Sequence, residues 1–254
     1  MSEVVASGFI PAQRLQKYVD VLTPVVSEAK IHFSEDGIHT RAVDPANVCM
    51  VGPVELAPSA FESYDAPGSV TIGVNLTRLD DVLDLADAGD LVEFGVDMET
   101  RTLQIEYGPV EQKIALIDPD TVRKEPDIPD LDLPNTVHVP GGRLDEAADV
   151  INLVSDHIGF DCSTDGTLDI YAEGDVDESH YRLGADELLP ASEITENTYS
   201  LFSLDYVESL VKPMPDDAEV EVRLGDEFPT ELSWETCEGH LSVYQQLAPR
   251  IQTS

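Results

Sequence analysis

Basic residues are scarce in this chain: 14 Lys and Arg face 51 Asp and Glu, a formal net charge of −37 over 254 residues. A surface so acidic repels nucleic acid at long range, which argues against capture of DNA or RNA by a broad basic patch. Cysteine is scarce too. Cys49, Cys162 and Cys237 are odd in number, widely spaced and form no CxxC pair, so neither a disulfide framework nor a zinc site is expected, and a reducing cytoplasm fits. No apolar run reaches membrane-spanning length. The start, MSEVVASGFIP, lacks the basic region and apolar core of a signal peptide. Motifs of catalysis are missing as well: there is no GxxxxGK followed by Ser or Thr, no GxGxxG after a strand, no HExxH and no GxSxG. His32, His39, His138, His157, His180 and His240 are scattered, with no pair at ligand spacing. Short acid runs at Asp118-Pro119-Asp120, Asp130-Leu131-Asp132 and Asp175-Val176-Asp177-Glu178 could attract a divalent cation. Among 51 acids such runs arise by chance and read as solvated faces. No enzyme activity, cofactor or metal is expected.

What is present is a core. The hydrophobic fraction is 42% and the aromatic fraction 6%, so Val, Ile and Leu carry most of the burial and sheet-rich packing is favoured. The acid has two readings: adaptation to molar salt, where screening shortens charge repulsion to a few ångströms, or mimicry of DNA. Acid spread along the whole chain, not massed in a tail, favours salt adaptation.

A self-comparison is the most informative step. RLQKYVDVLTPVV at the start of 14–37 matches RLDEAADVINLVS at the start of 143–166, offset by 129 places. Arg14 falls on Arg143, Leu15 on Leu144, Val21 on Val150, and Asp36-Gly37 on Asp165-Gly166. Farther along, NLTRLDDVLDLADAGDLVEF (75–94) matches SLDYVESLVKPMPDDAEVEV (203–222) at an offset of 128. This is a tandem duplication. Each half predicts an amphipathic helix, with Leu15, Val19, Leu22 and Val26 on one face in the first and Leu144, Ala148, Ile151 and Val154 in the second. Alternating strands follow, such as Lys30–Phe33 and Ile38–Ala42 joined at the Asp36-Gly37 turn. A second helix carries Leu76, Leu79, Leu83 and Ala86, matched by Leu204, Val207 and Val211, and strands such as Leu91–Val96 and Thr102–Tyr107 close the half. Helices on one face of antiparallel sheet make the fold α+β. The expected domains are 1–117 and 135–254.

Between them, 118–134 carries Pro119, Pro126, Pro129 and Pro134, which forbid a helix and remove ladder donors. The segment should run extended across the surface. Ile128, Leu131 and Leu133 in it need an apolar surface to lie against.

Taken together, these features resemble the archaeal and eukaryotic DNA sliding clamps, the proliferating-cell nuclear antigen family. The resemblance rests on the duplication, on Val43-Asp44-Pro45-Ala46-Asn47-Val48-Cys49-Met50-Val51, on the connector through Ile128-Pro129, and on Leu247-Ala248-Pro249-Arg250-Ile251. It implies three chains closed head to tail, with helices inside and sheets outside. The implied contact strands are those near Val110–Leu116 (Val110, Lys113, Ile114, Leu116) and Glu178–Leu183 (Glu178, His180, Tyr181, Leu183). It also implies a pocket under the connector for peptides of DNA polymerase, clamp loader, flap endonuclease and DNA ligase. Carried over by position, its lining is Val43, Asn47, Val48, Met50, Ile128, Pro129, Leu131, Pro229, Ala248, Pro249 and Ile251, although Val43 and Ile251 would equally serve a core.

The helices that the resemblance turns toward double-stranded DNA begin near Pro11, Asn75, Gly141 and Ser203. Their cations are few: Arg14, Lys17, Arg78, Arg143 and Lys212, with Asp81, Asp84 and Asp149 where relatives place Lys or Arg. Enclosure by a homotrimeric ring would hold DNA without affinity. The alternatives are an acidic decoy for nucleic-acid-binding proteins and a subunit of a hetero-oligomeric clamp.

Overall fold

The computed structural model describes residues 4–174 and 176–250. These form two compact units. The first takes in the described residues up to Pro45, together with Met50–Pro126 and Thr236–Val243; the second takes in Ala46–Cys49, Asp127–Glu235 and the described residues from Tyr244. Chain contacts thus divide the expected connector 118–134 between the units. Among the described residues, no helix is long and apolar enough to cross a membrane.

The first unit runs β1 (Val4–Pro11), α1 (Ala12–Leu22), β2 (Glu28–Ser34), β3 (Gly37–Val43), β4 (Cys49–Leu56), β5 (Ser63–Asp65), β6 (Val70–Asn75), α2 (Leu76–Leu83), β7 (Leu91–Asp97), β8 (Thr102–Tyr107) and β9 (Val110–Ala115). One antiparallel sheet has the order β5-β1-β7-β8-β9, and β4, β3, β2 and β6 lie side by side in another. The helices α1 and α2 pack on each other. Leu15 and Tyr18 of α1 and Leu79 of α2 enclose a common core with Ile31, Phe33 and Ile38 from one sheet and Phe94, Leu103 and Ile105 from the other. Each such side chain contributes about 1.5–3 kcal/mol on burial. Tyr18 is fully enclosed, and its hydroxyl donates to Thr40 Oγ1 at 2.5 Å, which in turn donates to the Lys30 carbonyl at 3.0 Å. A buried phenol needs such a partner, and burial drives its pKa far above the ordinary range.

The second unit repeats the plan with β10 (Asn135–Pro140), α3 (Gly141–Ile151), β11 (His157–Ser163), β12 (Thr167–Glu173), β13 (Glu178–Leu183), β14 (Thr198–Ser203), α4 (Leu204–Val211), β15 (Glu219–Leu224), β16 (Thr230–Thr236, all but its last residue in this unit) and β17 (Leu241–Leu247, in this unit from Tyr244). The sheet order is β13-β12-β11-β14, and β10, β15, β16 and β17 run side by side. Leu144, Phe160, Val207, Leu210, Val222, Leu232 and Leu247 meet in its core.

The duplication extends to single hydrogen bonds. The first N–H of α1 donates to Asp90 O and that of α3 to Ala218 O; the first N–H of α2 donates to Ser27 O and that of α4 to Asp156 O, all at 2.8–3.0 Å. The repeated Asp-Gly turns place Gly37 at φ +110° and Gly166 at φ +90°, a region that disfavours side chains. The helices end earlier than their apolar spacing suggests. Val26 lies beyond α1, which stops at Leu22 one residue before the cap Thr23, with Pro24 next. Ala86 and Val154 likewise fall past the ends of α2 and α3 and pack from the following turns. Trp234 is core, 3% exposed.

One of the buried polar residues lies unpaired in the core. Gln245 on β17 is 0% exposed, and neither its Nε2 nor its Oε1 meets a protein partner. An unsatisfied buried amide costs about 1–3 kcal/mol. Replacing it by the similarly sized leucine, Gln245→Leu, is expected to raise stability by about that amount; a lower denaturation midpoint in chemical unfolding would contradict this.

Candidate functional site

The first stretch of the connector belongs to the first unit. Ile117 N–H donates to Gly73 O at 2.8 Å, Val122 is buried, and Glu125 meets His32 Nε2 at 2.7 Å, while His32 Nδ1 meets Thr71 Oγ1 at 2.8 Å. The later stretch belongs to the second unit and runs without helix or strand to Leu133. It is held through its main chain. Gln246 Nε2 donates to Pro129 O at 3.3 Å, and Arg223 Nη2 donates to Leu131 O at 3.4 Å. Leu133 is buried beside Gly225, whereas Ile128 and Leu131 are half-buried and Pro129 is exposed. No helix forms across these prolines, and a turn at residues 119–121 interrupts the earlier stretch.

Other residues of the expected pocket gather in the same unit. Val48 O accepts from Ala248 N–H at 2.9 Å, and Arg250 N–H donates to Leu201 O at 2.7 Å, which fixes the strand end carrying Ala248 and Pro249. Both are half-buried. Asn47 is exposed at φ +58°, a left-handed conformation that asparagine tolerates. Pro229 is half-buried and follows Phe228, which is 45% exposed although apolar. Phe228 was not singled out by pattern; its one signal is an aromatic directly after Gly225-Asp226-Glu227 in a turn. Val43 and Met50 belong to the first unit, where they pair across β3 and β4. Ile251 lies outside the described residues.

The strands expected to join copies stand at sheet edges. β9 is outermost beside β8, and β13 is outermost beside β12. Val110 and Leu116 are half-buried, and Lys113 is exposed near Glu111 at 3.6 Å. Ile114 and Leu183 are each 1% exposed, because strand alternation points them inward opposite Leu103 and Leu168. These two therefore offer an edge their backbone and not their side chains. Glu178 and His180 are exposed, with His180 Nδ1 at 2.8 Å from Asp169 Oδ2. Tyr181 OH donates to Glu146 at 2.6 Å and accepts from Arg143 Nη1 at 3.0 Å.

The expected DNA-facing cations are partly engaged. Arg14 donates to Ala60 O at 2.7 Å and approaches Glu238 at 3.4 Å, which leaves its side chain 22% exposed. Lys17 is half-buried, and Arg78, Arg143 and Lys212 are exposed. Lys212 caps the C-terminus of α4, where a cation complements the helix dipole. Acids dominate around them. Burial, then Asp84, Asp20 and Asp81, raise the Asp80 carboxyl above its ordinary range. Burial also raises Asp20, with Lys17 opposing and Asp84 adding. No group of three or more His, Cys, Asp or Glu among the described residues is arranged to hold a metal ion.

A profile of the proliferating cell nuclear antigen N-terminal domain matches residues 6–118. The DNA polymerase sliding clamp of Halobacterium salinarum is 46% identical over 248 residues, covering 97% of this chain and 99% of that protein. The sliding clamp of Haloarcula marismortui is 45% identical over 249 residues, with coverage of 97% and 99%. Among solved structures, Archaeoglobus fulgidus PCNA bound to the C-terminal region of FEN-1 superimposes with a TM-score of 0.90 at 35% identity, covering 98% of this chain and 100% of that one. PCNA from Thermococcus kodakaraensis gives 0.87 at 27% identity, covering 96% and 100%.

The acid cluster on α1 and α2 makes a prediction. A carboxyl with a raised pKa binds its proton more readily in the folded chain, so its contribution to stability declines as pH rises through the carboxylate range. Asp80→Asn should raise the unfolding temperature at neutral pH, and the gain should shrink at about pH 3, where the carboxyl is protonated in both states. Thermal unfolding at fixed ionic strength checks it; an equal gain at both pH values would assign the effect to something other than charge.

Proposed function

Because the chain belongs to the proliferating cell nuclear antigen family of DNA polymerase sliding clamps, we propose that three copies close head to tail into a ring around duplex DNA. The open edges of β9 and β13 support ring closure most directly, and the main-chain-held connector of the second unit supports its use as a place to tether other proteins. In the ring, the open edge of β9 on one copy pairs with β13 on the next, a heterologous contact that closes. The helices α1 to α4 face the duplex. Contacts from Arg78 and Lys212 to phosphate are weak, and Arg14 and Arg143 add less because Ala60 O holds the one and Tyr181 with Glu146 holds the other, while Lys17 is half-buried. Counterion release yields little in molar salt, so enclosure retains the DNA.

Peptides of DNA polymerase, clamp loader, flap endonuclease and DNA ligase dock beneath Ile128, Pro129 and Leu131, with Asn47, Val48, Pro229, Ala248 and Pro249 as further lining. A few apolar anchors of the guest carry most of the affinity. The A. fulgidus protein bound to the FEN-1 C-terminal region supports this mode. The protein itself performs no chemistry; it raises the processivity of a polymerase by tethering, in the cytoplasm. Salt adaptation accounts for the charge, in keeping with relatives from halophilic archaea.

Two measurements test this. Light scattering across a salt series should give three times the 27.7 kDa protomer mass in molar salt, while a monomer at every salt would favour the acidic decoy. Ile128→Glu or Pro249→Glu should remove stimulation of the cognate polymerase with the trimer mass unchanged; persisting stimulation would place the pocket elsewhere.

A further inference from the structure

Two residues are buried where strand alternation would expose them. On β16, Thr230, Leu232 and Trp234 point to the core, and the opposite face carries Glu231, Ser233 and Glu235. Glu235 is exposed and Ser233 half-buried, yet Glu231 is 5% exposed, and so is Gln246 on β17. The connector meets the sheet here, accepting hydrogen bonds at Pro129 O and Leu131 O.

Beneath it lies a closed polar network. Glu231 stands directly across the ladder from Arg223 and accepts from Arg223 Nη1 at 2.6 Å. Its other oxygen accepts from Tyr244 OH at 2.6 Å and from Gln246 Nε2 at 3.0 Å. The Gln246 amide is shared with the Tyr244 oxygen at 2.5 Å and with Pro129 O. Burial, reinforced by the Glu231 bond, keeps the Tyr244 hydroxyl protonated and donating. Both groups that reach the connector, Gln246 and Arg223, are thus oriented by one buried carboxylate.

We infer that Glu231 is a positioning residue for partner docking: through Gln246 and Arg223 it sets the path of the connector before a guest peptide arrives. The inference rests on the docking role proposed above. A preset connector spares the guest the ordering cost of shaping it. Because Glu231 is buried and Arg223 only partly exposed, molar salt screens the pair less than a surface ion pair, so the device keeps working where exposed pairs fade.

The test uses the full-length ring in molar salt, with Glu231→Gln and Gln246→Leu. The second variant removes the Pro129 bond while leaving Glu231 paired to Arg223 and Tyr244. Hydrogen exchange of the amides in 127–133 is measured against the rest of the second unit, with calorimetric titration of a synthetic peptide from the FEN-1 C-terminal region. Both variants should speed connector exchange selectively and weaken peptide binding about tenfold, the size of one charge-assisted hydrogen bond. Unchanged connector exchange, or faster exchange spread evenly over the unit with an unchanged dissociation constant, would reduce the network to a fold-stabilising role and overturn the inference. Failure of the unaltered ring to bind the peptide would instead refute the docking role, and the exchange comparison alone would then decide whether the network sets the connector.

Discussion

Helices of 8 to 11 residues are too short to persist alone in water. The fold depends on how they are pinned: each buries an apolar stripe against sheet, and each donates its first N–H to a carbonyl of a neighbouring loop, Asp90, Ser27, Ala218 or Asp156. Three of the four have no side-chain cap, and Asn75 on α2 is the exception. With start and inner face fixed by backbone and apolar contacts, the outer face has no structural duty. It can take almost any charge. That freedom explains how Asp20, Asp80, Asp81 and Asp84 come to share one helix pair without undoing it.

The same freedom separates two ways of holding DNA. A basic lining gains affinity by releasing counterions, and that gain falls steeply with salt. A ring needs only to be closed. A chain of net charge −37 cannot rely on the first and is suited to the second. In the proposed ring, solubility in concentrated salt and retention of DNA then make no conflicting demands on the helix faces.

Much of this was legible in the residues. The offsets of 129 and 128 placed all four helices and both Asp-Gly turns, because those elements follow from local periodicity and local φ. Local pattern failed where distant contacts decide. Val26, Ala86 and Val154 continue the apolar spacing past the true helix ends. Ile114 reads as an exposed edge residue, yet the inner layer of its unit encloses it. Arg14 looks like a free first-turn cation, although the Ala60 carbonyl, 46 residues away, takes its guanidinium. Glu231 and Gln246 sit where strand alternation would expose them, yet both are buried, and Gln246 bonds to a segment 117 residues earlier. The apolar positions of the connector were therefore visible in the sequence, and the polar network beneath it was not.

That network meets the connector at the carbonyls of residues 129 and 131. A carbonyl is the same whatever side chain its residue carries. The side chains at 128, 129 and 131 can accordingly change without loosening the hold on the main chain that carries them. The residues beneath have no such latitude: Arg223, Glu231, Tyr244 and Gln246 must change together or not at all. Across descendants of this chain, a variable connector should ride on an almost invariant underside.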